Sequence, residues 1–438
     1  MAFCGLRAFG SNNQVEPKNH IKCCSAITEV FGGGQQVTAV AVEYDQNIDN
    51  AKLSQSSFSV KGRSVTRVYA STTASKASKG TNGRFVIIEL QKQEDVADPA
   101  PQSPPSPNGQ PAFSPNGSLP SNNPKSSRPM NGMGAPKPDL TAYITQTGVI
   151  TTTEEKQYEP FKDAVATTNF INLIVDDFKQ VEFKDPATGL SLKYNLYIPK
   201  NYDKNKSYPM VLFMHYASVT GRETTATLTQ GLGAVIWASP EEQAKHECFV
   251  LAPLFPTQTV NDKSEVSEYL DVTVDLIKAL TNTYNINKNR LYTTGQSGGC
   301  MMSIAIDIKY PDLFAASFLV AGQWDASLVK PLAKQKLWII VSEGDTKAFP
   351  GMNAITSTLE KEGAKVSRAT WNARSSASEF ASEVAKMNAE DNKIRYVAFQ
   401  KGTTWPEGQE KNMTEHMQTW KVAYTIEGVR DWLFAQSK

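Results

Sequence analysis

The residues with the clearest capacity for chemistry form the run GQSGG, Gly295 to Gly299, with Ser297 at its centre. At average residue usage, chance gives only about 0.15 matches to a Gly-x-Ser-x-Gly pattern in a chain this long. The strand-like run RLYTT ends directly before it, and the apolar helix-like run CMMSIAIDIKY follows directly. Such a sharp turn presents a serine hydroxyl for nucleophilic attack, and its glycines let strand and helix approach closely. The pattern predicts a nucleophile; the alternative is a Gly-rich turn with a capping serine.

A serine nucleophile needs a general base, and the chain has only four histidines. Where the nucleophile sits on a strand-to-helix turn, the acid and then the histidine follow it along the chain. Only His416 follows Ser297, whereas His20, His215 and His246 precede it. We place His416 in a loop before the final helix; the alternative is an exposed surface histidine. Because His416 must be neutral to accept a proton, activity is expected to rise from acid toward neutral or mildly alkaline pH.

The acid should lie at the end of a core strand between these two residues. Asp345 follows the strand-like run LWIIVS, two strands after the nucleophile strand in our count. There it would accept a hydrogen bond from His416, which fixes the tautomer and stabilises the imidazolium. Glu343 and Asp325 are the alternatives, and any of the three could instead be a solvated loop carboxylate.

The negative charge of a tetrahedral intermediate needs two N–H donors. We expect one from Gly298, after the nucleophile, and one from Tyr216 or Ala217 in the loop HYASVTG. Loss of one such donor typically costs about 10²–10³ in rate.

Candidate substrate contacts are Gln296, beside the nucleophile, and Trp324, just beyond the strand-like run ASFLVAG. Trp324 and Trp405 could stack on an aromatic or sugar-linked ester. The alternative for both tryptophans is packing in the core or at the rim.

The elements that would position these residues begin after a stretch, residues 1–26, that we interpret as a disordered leader. Residues 27–165 contain short β-branched runs between turn residues, typical of an antiparallel β-sandwich. Residues 99–138 hold 12 of the 24 prolines, so a disordered insertion is predicted at about 97–138, or else an interdomain linker. Residues 166–438 alternate apolar strands with amphipathic helices, which indicates a mostly parallel sheet covered on both faces.

Composition excludes several classes of function. The 438 residues carry 45 Lys and Arg against 44 Asp and Glu, so no positive field favours nucleic acid. No apolar run approaches the roughly 20 residues that span a bilayer. The five cysteines form no CxxC pair and have no histidine at zinc-finger spacing, so no metal is predicted. No cofactor is needed for the chemistry above; a small-molecule ester is the expected partner, and a homo-oligomer stays open.

Several motifs together resemble bacterial α/β-hydrolase serine esterases that carry an N-terminal immunoglobulin-like domain. They are GQSGG with the later KYPDLFAA, Asp345, EHMQTW around His416, the closing DWLFAQ, and GAVIWASPEEQAKHECFVLAP. The resemblance covers roughly residues 27–438 apart from the Pro-rich insertion. It implies an α/β hydrolase behind an immunoglobulin-like β-sandwich, and a carboxylic ester hydrolase of the EC 3.1.1 type with Ser297, Asp345 and His416 as its triad.

The resemblance also frames the substrate and the location. It implies short-chain esters, with a feruloyl or acetylxylan esterase as the alternative. Secretion or a periplasmic location is implied too, although no signal peptide is visible at the start of the chain. One departure stands out: the family usually has His-Gly where this chain has His215-Tyr216. The tyrosine predicts a narrower pocket or a displaced N–H, and a third hypothesis is a non-catalytic binding protein with a degenerate hydrolase domain.

Overall fold

The structure is a computed structural model that describes residues 20–93, 139–410 and 414–438. The predicted insertion at about 97–138 and most of the predicted leader lie outside these residues. The described chain forms an N-terminal unit of mostly antiparallel strands and a C-terminal unit built on one large sheet.

The N-terminal unit is a β-sandwich. Its strands are mostly short runs rich in β-branched residues, and most of those side chains are partly or fully buried. A five-stranded sheet in the order β10-β1-β2-β5-β4 is accompanied by the three-stranded sheet β3-β6-β9 and the hairpin β7-β8. The strands are β1 (Ile21–Phe31), β2 (Gly34–Ile48), β3 (Phe58–Val60), β4 (Val65–Ser71), β5 (Gly83–Leu90), β6 (Tyr143–Gln146), β7 (Ile150–Thr151), β8 (Gln157–Tyr158), β9 (Val165–Ala166) and β10 (Asn169–Asn172).

The strands of this unit extend beyond the predicted boundaries at both ends. Strand β1 begins at Ile21, inside the predicted leader, and His20 already hydrogen-bonds through Nδ1 to Oδ2 of Asp45 at 3.1 Å. The inward side chains at the start of β1 are small ones such as Cys24 and Ala26, which give little β signal in a sequence. At the other end, β10 pairs in parallel with β1 beyond residue 165, and only this pairing makes its polar NFIN run a strand.

The C-terminal unit is a nine-stranded sheet in the order β11-β12-β14-β13-β15-β16-β17-β19-β18. In this spatial order, every neighbouring pair from β14 through to β18 is parallel. Strands β11 and β12 form one edge of the sheet, where β11 pairs antiparallel with β12 and β12 pairs antiparallel with β14. The strands are β11 (Lys179–Lys184), β12 (Ser191–Tyr197), β13 (Tyr208–Met214), β14 (Phe249–Leu254), β15 (Ile286–Gln296), β16 (Ala316–Val320), β17 (Leu337–Ser342), β18 (Val366–Trp371) and β19 (Ile394–Phe399). This arrangement is the α/β-hydrolase type of sheet, and it confirms the predicted fold class.

Helices connect the parallel strands and cover the sheet. They are α1 (Ala226–Thr229), α2 (Leu232–Val235), α3 (Pro240–Lys245), α4 (Tyr269–Thr283), α5 (Gly298–Lys309), α6 (Ala348–Lys361), α7 (Ala377–Ala389), α8 (His416–Ala423) and α9 (Glu427–Phe434). In the part of the chain that the structure describes, no helix is both long and apolar enough to span a bilayer.

Burial explains why the central strands are apolar throughout. Every residue of β13, β14, β16 and β17 is buried, since helices cover both faces of the sheet. The edge strand β18 was not predicted, because its VSRATW run is polar and half exposed. In parallel sheets the carboxyl ends of the strands share one edge, where ligands bind. Strands β13, β15 and β17 carry the candidate residues at that edge.

The sandwich touches the C-terminal unit through the tip of the β1-β2 hairpin. A Cβ added at Gly32 would lie 2.9 Å from the backbone oxygen of Lys421 in α8. Val30, just before the tip, packs against the hydrophobic core of the C-terminal unit. The hairpin therefore abuts the helix that begins with His416.

Candidate active site

Ser297 occupies a single-residue turn between β15 and α5, with φ 54° and ψ −119°. A positive φ is energetically unfavourable for a non-glycine residue, so the packing around Ser297 must hold the backbone in this conformation. Glycine is required on both sides: a Cβ at Gly295 would lie 2.4 Å from the carbonyl carbon of Gly299, and one at Gly299 would lie 1.9 Å from the Met214 oxygen. The local sequence thus holds the Ser297 hydroxyl at the end of the strand.

The structure brings Ser297, His416 and Asp345 into one hydrogen-bond chain. His416 Nε2 lies 2.8 Å from Ser297 Oγ, and His416 Nδ1 lies 2.5 Å from Oδ2 of Asp345. Asp345 is 1% exposed, and its Oδ1 accepts the N–H groups of Lys347 at 3.0 Å and Ala348 at 2.9 Å. With Nδ1–H donated to the carboxylate, Nε2 is free to take the serine proton.

The surroundings of Asp345 favour its ionised form. Burial acts to raise the pKa of this carboxyl, but the hydrogen bond from His416, the imidazolium charge and the two backbone N–H groups together hold the pKa below its usual value. The carboxylate is therefore available to orient the imidazole and to stabilise it when protonated.

One placement differs from expectation, and the alternative acids fall outside the triad. His416 is not in a loop: it is the first residue of α8, because the helix begins where the Glu415 carbonyl accepts from Gln418 and Thr419. The alternative acids lie elsewhere, since the carboxylate of Glu343 accepts the Lys401 N–H at 3.1 Å and that of Asp325 accepts from Ser327.

Two candidate oxyanion donors lie next to each other. Gly298 is the first residue of α5, so its N–H has no acceptor within that helix. The Ala217 nitrogen lies 3.5 Å from the position that a Cβ on Gly298 would take. Tyr216, the other candidate, precedes Ala217 in extended conformation.

His215 anchors the loop that carries Ala217, a role that the sequence did not reveal. Its Nε2 accepts the Phe255 N–H at 3.0 Å, and its Nδ1–H donates to the Tyr216 carbonyl at 2.9 Å. Burial lowers the pKa of His215 to about 4, partly offset by the bond to Tyr216. The ring therefore stays neutral near neutral pH, as an imidazole that both donates and accepts must.

Aromatic side chains border the site on the His416 side. The ring of Trp420 meets His416 edge-on, with centroids 5.2 Å apart, and stacks on Tyr216 at 5.6 Å. The Tyr216 side chain thus packs against α8.

The predicted substrate contacts are mostly buried. Trp324 is 8% exposed and Trp405 5% exposed, and Trp324 belongs to the main hydrophobic core. Gln296 is fully buried, and neither side-chain polar atom has a hydrogen-bond partner among the described residues. The structure therefore places Trp324 in the core, buries Trp405, and leaves the side-chain amide of Gln296, beside Ser297, without a hydrogen-bond partner among the described residues.

One other cluster in the described residues has metal-ligand chemistry. Glu242, His246 and Asp431 offer ligand atoms within 4.8 Å of one another. Their charges already have partners: Arg430 Nε donates to Glu242 at 2.7 Å, and His246 Nε2 lies 2.8 Å from Asp431. The cluster therefore joins α3 to α9 as a polar clamp.

Known proteins resemble both units of the chain. Residues 24–159 match the family described as the esterase Ig-like N-terminal domain. A solved thermostable esterase is 27% identical, with a TM-score of 0.74 over 95% of this chain and 100% of its own. The chain combines an N-terminal sandwich that matches the esterase Ig-like family with a C-terminal unit of the α/β-hydrolase fold. The likeness to this esterase over nearly the whole chain confirms the resemblance found in the sequence, while a bacterial origin stays a prediction.

Curated relatives match over a shorter stretch. Acetylxylan esterase A of Emericella nidulans is 26% identical over 149 residues, and that of Aspergillus ficuum is 26% identical over 146. Each alignment covers 32% of this chain, and the chain spans less than half, 45%, of each relative's length.

Proposed function

We propose that this protein is a serine carboxylesterase that hydrolyses short-chain carboxylic esters through an acyl-enzyme. The observation that supports it is the continuous hydrogen-bond chain from Asp345 through His416 to Ser297 at the strand-to-helix turn. Nucleophile, base and orienting acid at hydrogen-bonding distance are the arrangement that acyl transfer needs.

The geometry supports the following acylation step. Ser297 Oγ attacks the ester carbonyl carbon while its proton passes to His416 Nε2, and the new positive charge faces Asp345. The N–H groups of Gly298 and Ala217 stabilise the carbonyl oxygen as it becomes negative, with Tyr216 as the alternative to Ala217. His416 then donates the proton to the departing alkoxide oxygen, which leaves as the alcohol.

Deacylation repeats the same transfers with water as the nucleophile. Water attacks the acyl carbon, its proton passes to His416, and collapse of the intermediate returns that proton to Ser297 Oγ. The products are the free carboxylic acid and the starting enzyme, so no metal or organic cofactor enters the balance.

An acetylxylan esterase is the second candidate, favoured by the names of the curated relatives. Both candidates can act on acetyl esters, and they differ in the alcohol that leaves, a simple alcohol or a polysaccharide hydroxyl. A feruloyl ester is the alternative with a large aromatic acyl group.

A panel of acetate, butyrate, octanoate and ferulate esters, with acetylated xylan added, separates these candidates. We expect the highest kcat/KM on acetate or butyrate; a maximum on ferulate would favour the feruloyl alternative. Stoichiometric labelling of Ser297 by an organophosphonate would exclude the non-catalytic hypothesis, and a folded sample that resists labelling would support it.

A further inference from the structure

We propose that Glu415 is a positioning residue for the triad: its buried carboxylate joins the loop of Asp345 to the helix of His416 and so sets the distance between them. The inference rests on the proposed function for its kinetic part only. Glu415 directly precedes His416 and is 3% exposed, although glutamate is rarely buried without partners.

Three donors from two separate segments converge on this carboxylate. Oε2 accepts from Ser342 Oγ at 2.5 Å and from Thr404 Oγ1 at 3.0 Å, and Oε1 accepts the Gly402 N–H at 2.5 Å. A buried acceptor that is satisfied by several donors fixes each of them in place. Glu415 therefore links the end of β17 to the loop that follows β19.

The link to β17 leads directly to the acid. Ser342 Oγ also accepts the Gly344 N–H at 3.2 Å, and the Ser342 carbonyl accepts the Asp345 N–H at 3.0 Å. The Glu415 N–H in turn donates to the Gly344 carbonyl at 3.2 Å. Backbone and side chain of one residue thus hold the turn that carries Asp345.

Close packing leaves this turn little room to shift. A Cβ added at Gly344 would lie 2.3 Å from the Glu415 carboxyl carbon, so the glycine lets the carboxylate lie against the turn. On the other side, the Glu415 carbonyl accepts from Thr419 and starts the helix with His416 as its first residue. Loss of the carboxylate frees the Asp345 turn from α8, and the hydrogen bond between Asp345 and His416 loosens.

The test uses Glu415→Ala, Glu415→Gln and the control Glu343→Gln in the full chain. The amide of Glu415→Gln can still accept from Gly402 and donate to the Ser342 and Thr404 hydroxyl oxygens. Glu343 is an exposed glutamate of the same turn whose carboxylate accepts the Lys401 N–H and, among the described residues, has no hydrogen bond to Ser342 or to Glu415. It therefore reports on charge loss near the site without loss of the link.

For Glu415→Ala we expect kcat to fall about 10²-fold with KM within about twofold, since small misplacement of catalytic groups costs that much. The kcat of Glu415→Gln should lie within about threefold of the wild-type value, and the kcat of Glu343→Gln should equal that of wild type. A wild-type kcat in Glu415→Ala, or equal losses in Ala and Gln variants, would overturn the inference.

A substrate-free readout separates this inference from the proposed function. The proton between Asp345 Oδ2 and His416 Nδ1 should give a low-field ¹H NMR signal in wild type and Glu415→Gln. It should be lost or shifted upfield in Glu415→Ala, and an unchanged signal would refute the positioning role whatever the enzyme hydrolyses. If Glu415→Ala does not fold, Ser342→Ala takes its place, with the same signal and a smaller kcat loss of about 3–10-fold expected.

Discussion

His416 Nε2 lies 2.8 Å from Ser297 Oγ although 119 residues separate the two along the chain. The contact depends on two local devices: the positive φ of Ser297, which aims the hydroxyl, and the start of α8 at His416, which aims the imidazole. Asp345, just beyond the end of a third element, β17, completes the series of hydrogen bonds through His416 to Ser297.

Replacing the acid should leave the fold intact and remove most of the activity. In Asp345→Asn the Nδ1–H of His416 loses its carboxylate, and kcat should fall by about 10³–10⁴. Steady-state kinetics on an acetate ester checks this. The alternative acids supply the controls: Glu343→Gln and Asp325→Asn should retain wild-type kcat, and a larger loss in either would move the acid role away from Asp345.

Removing His215, which anchors the oxyanion loop, should reduce activity, though by less than the loss of a direct oxyanion donor. His215→Ala leaves the Phe255 N–H without its acceptor and leaves the Tyr216 carbonyl with the Val219 N–H but without the imidazole donor. Ala217 can then shift, so kcat should fall about 10–100-fold. The unfolding free energy should fall by about 1–3 kcal/mol, measured with urea. His246→Ala removes another paired histidine, from the polar clamp, and should keep its kcat. An unaltered kcat in His215→Ala would contradict the anchoring role.

The hairpin of the Ig-like domain should support the helix that starts with His416. Gly32→Val places side-chain atoms against the backbone of Lys421, so both the melting temperature and kcat should decrease. Ser59→Val adds bulk at an exposed position of β3 and serves as the control in thermal melts and ester assays. If the melting temperature and kcat fall equally in both variants, the effect is a general one on the sandwich and does not come from the contact with α8.

Buried Asp307, on α5, should make stability depend on pH. Burial raises the pKa of this carboxyl to about 7, partly offset by a hydrogen bond from Ser317, and its Oδ2 has no partner among the described residues. The folded protein keeps a proton that the unfolded chain releases near the usual value of 3.8. Stability from this group is therefore complete below that value and is lost as pH rises toward about 7, by at most about 4 kcal/mol.

The measurement is urea unfolding at about pH 5 and about pH 8 of wild type, Asp307→Asn and the exposed control Asp312→Asn. Wild type and the control should lose stability over this interval, whereas Asp307→Asn should lose clearly less. The same slope in all three would contradict a raised pKa at Asp307.

Apolar strands were the part of the fold that the sequence predicted best. The predicted run Leu337–Ser342 coincides with β17, because a strand buried on both faces must be apolar throughout. The start of β1 and the edge strand Val366–Trp371 escaped prediction, since their side chains are small, polar or exposed and tertiary pairing decides their conformation.

The candidate site likewise contains residues that the sequence could predict and residues that it could not. Ser297, Asp345 and His416 could be proposed because each stands in a local pattern or in a fixed order along the chain. His215 and Glu415 could not, because their partners are backbone groups and hydroxyls of distant segments. Such positions have no sequence spacing of their own and become visible only when the elements pack.

The most direct test of the account is turnover of acetate and butyrate esters by wild type and by Ser297→Ala, matched in folding by circular dichroism and melting temperature. We predict turnover by wild type that rises from acid toward neutral pH, and a rate lower by about 10⁴ or more in the variant. Retention of wild-type turnover by Ser297→Ala would contradict the assignment of Ser297 as the nucleophile.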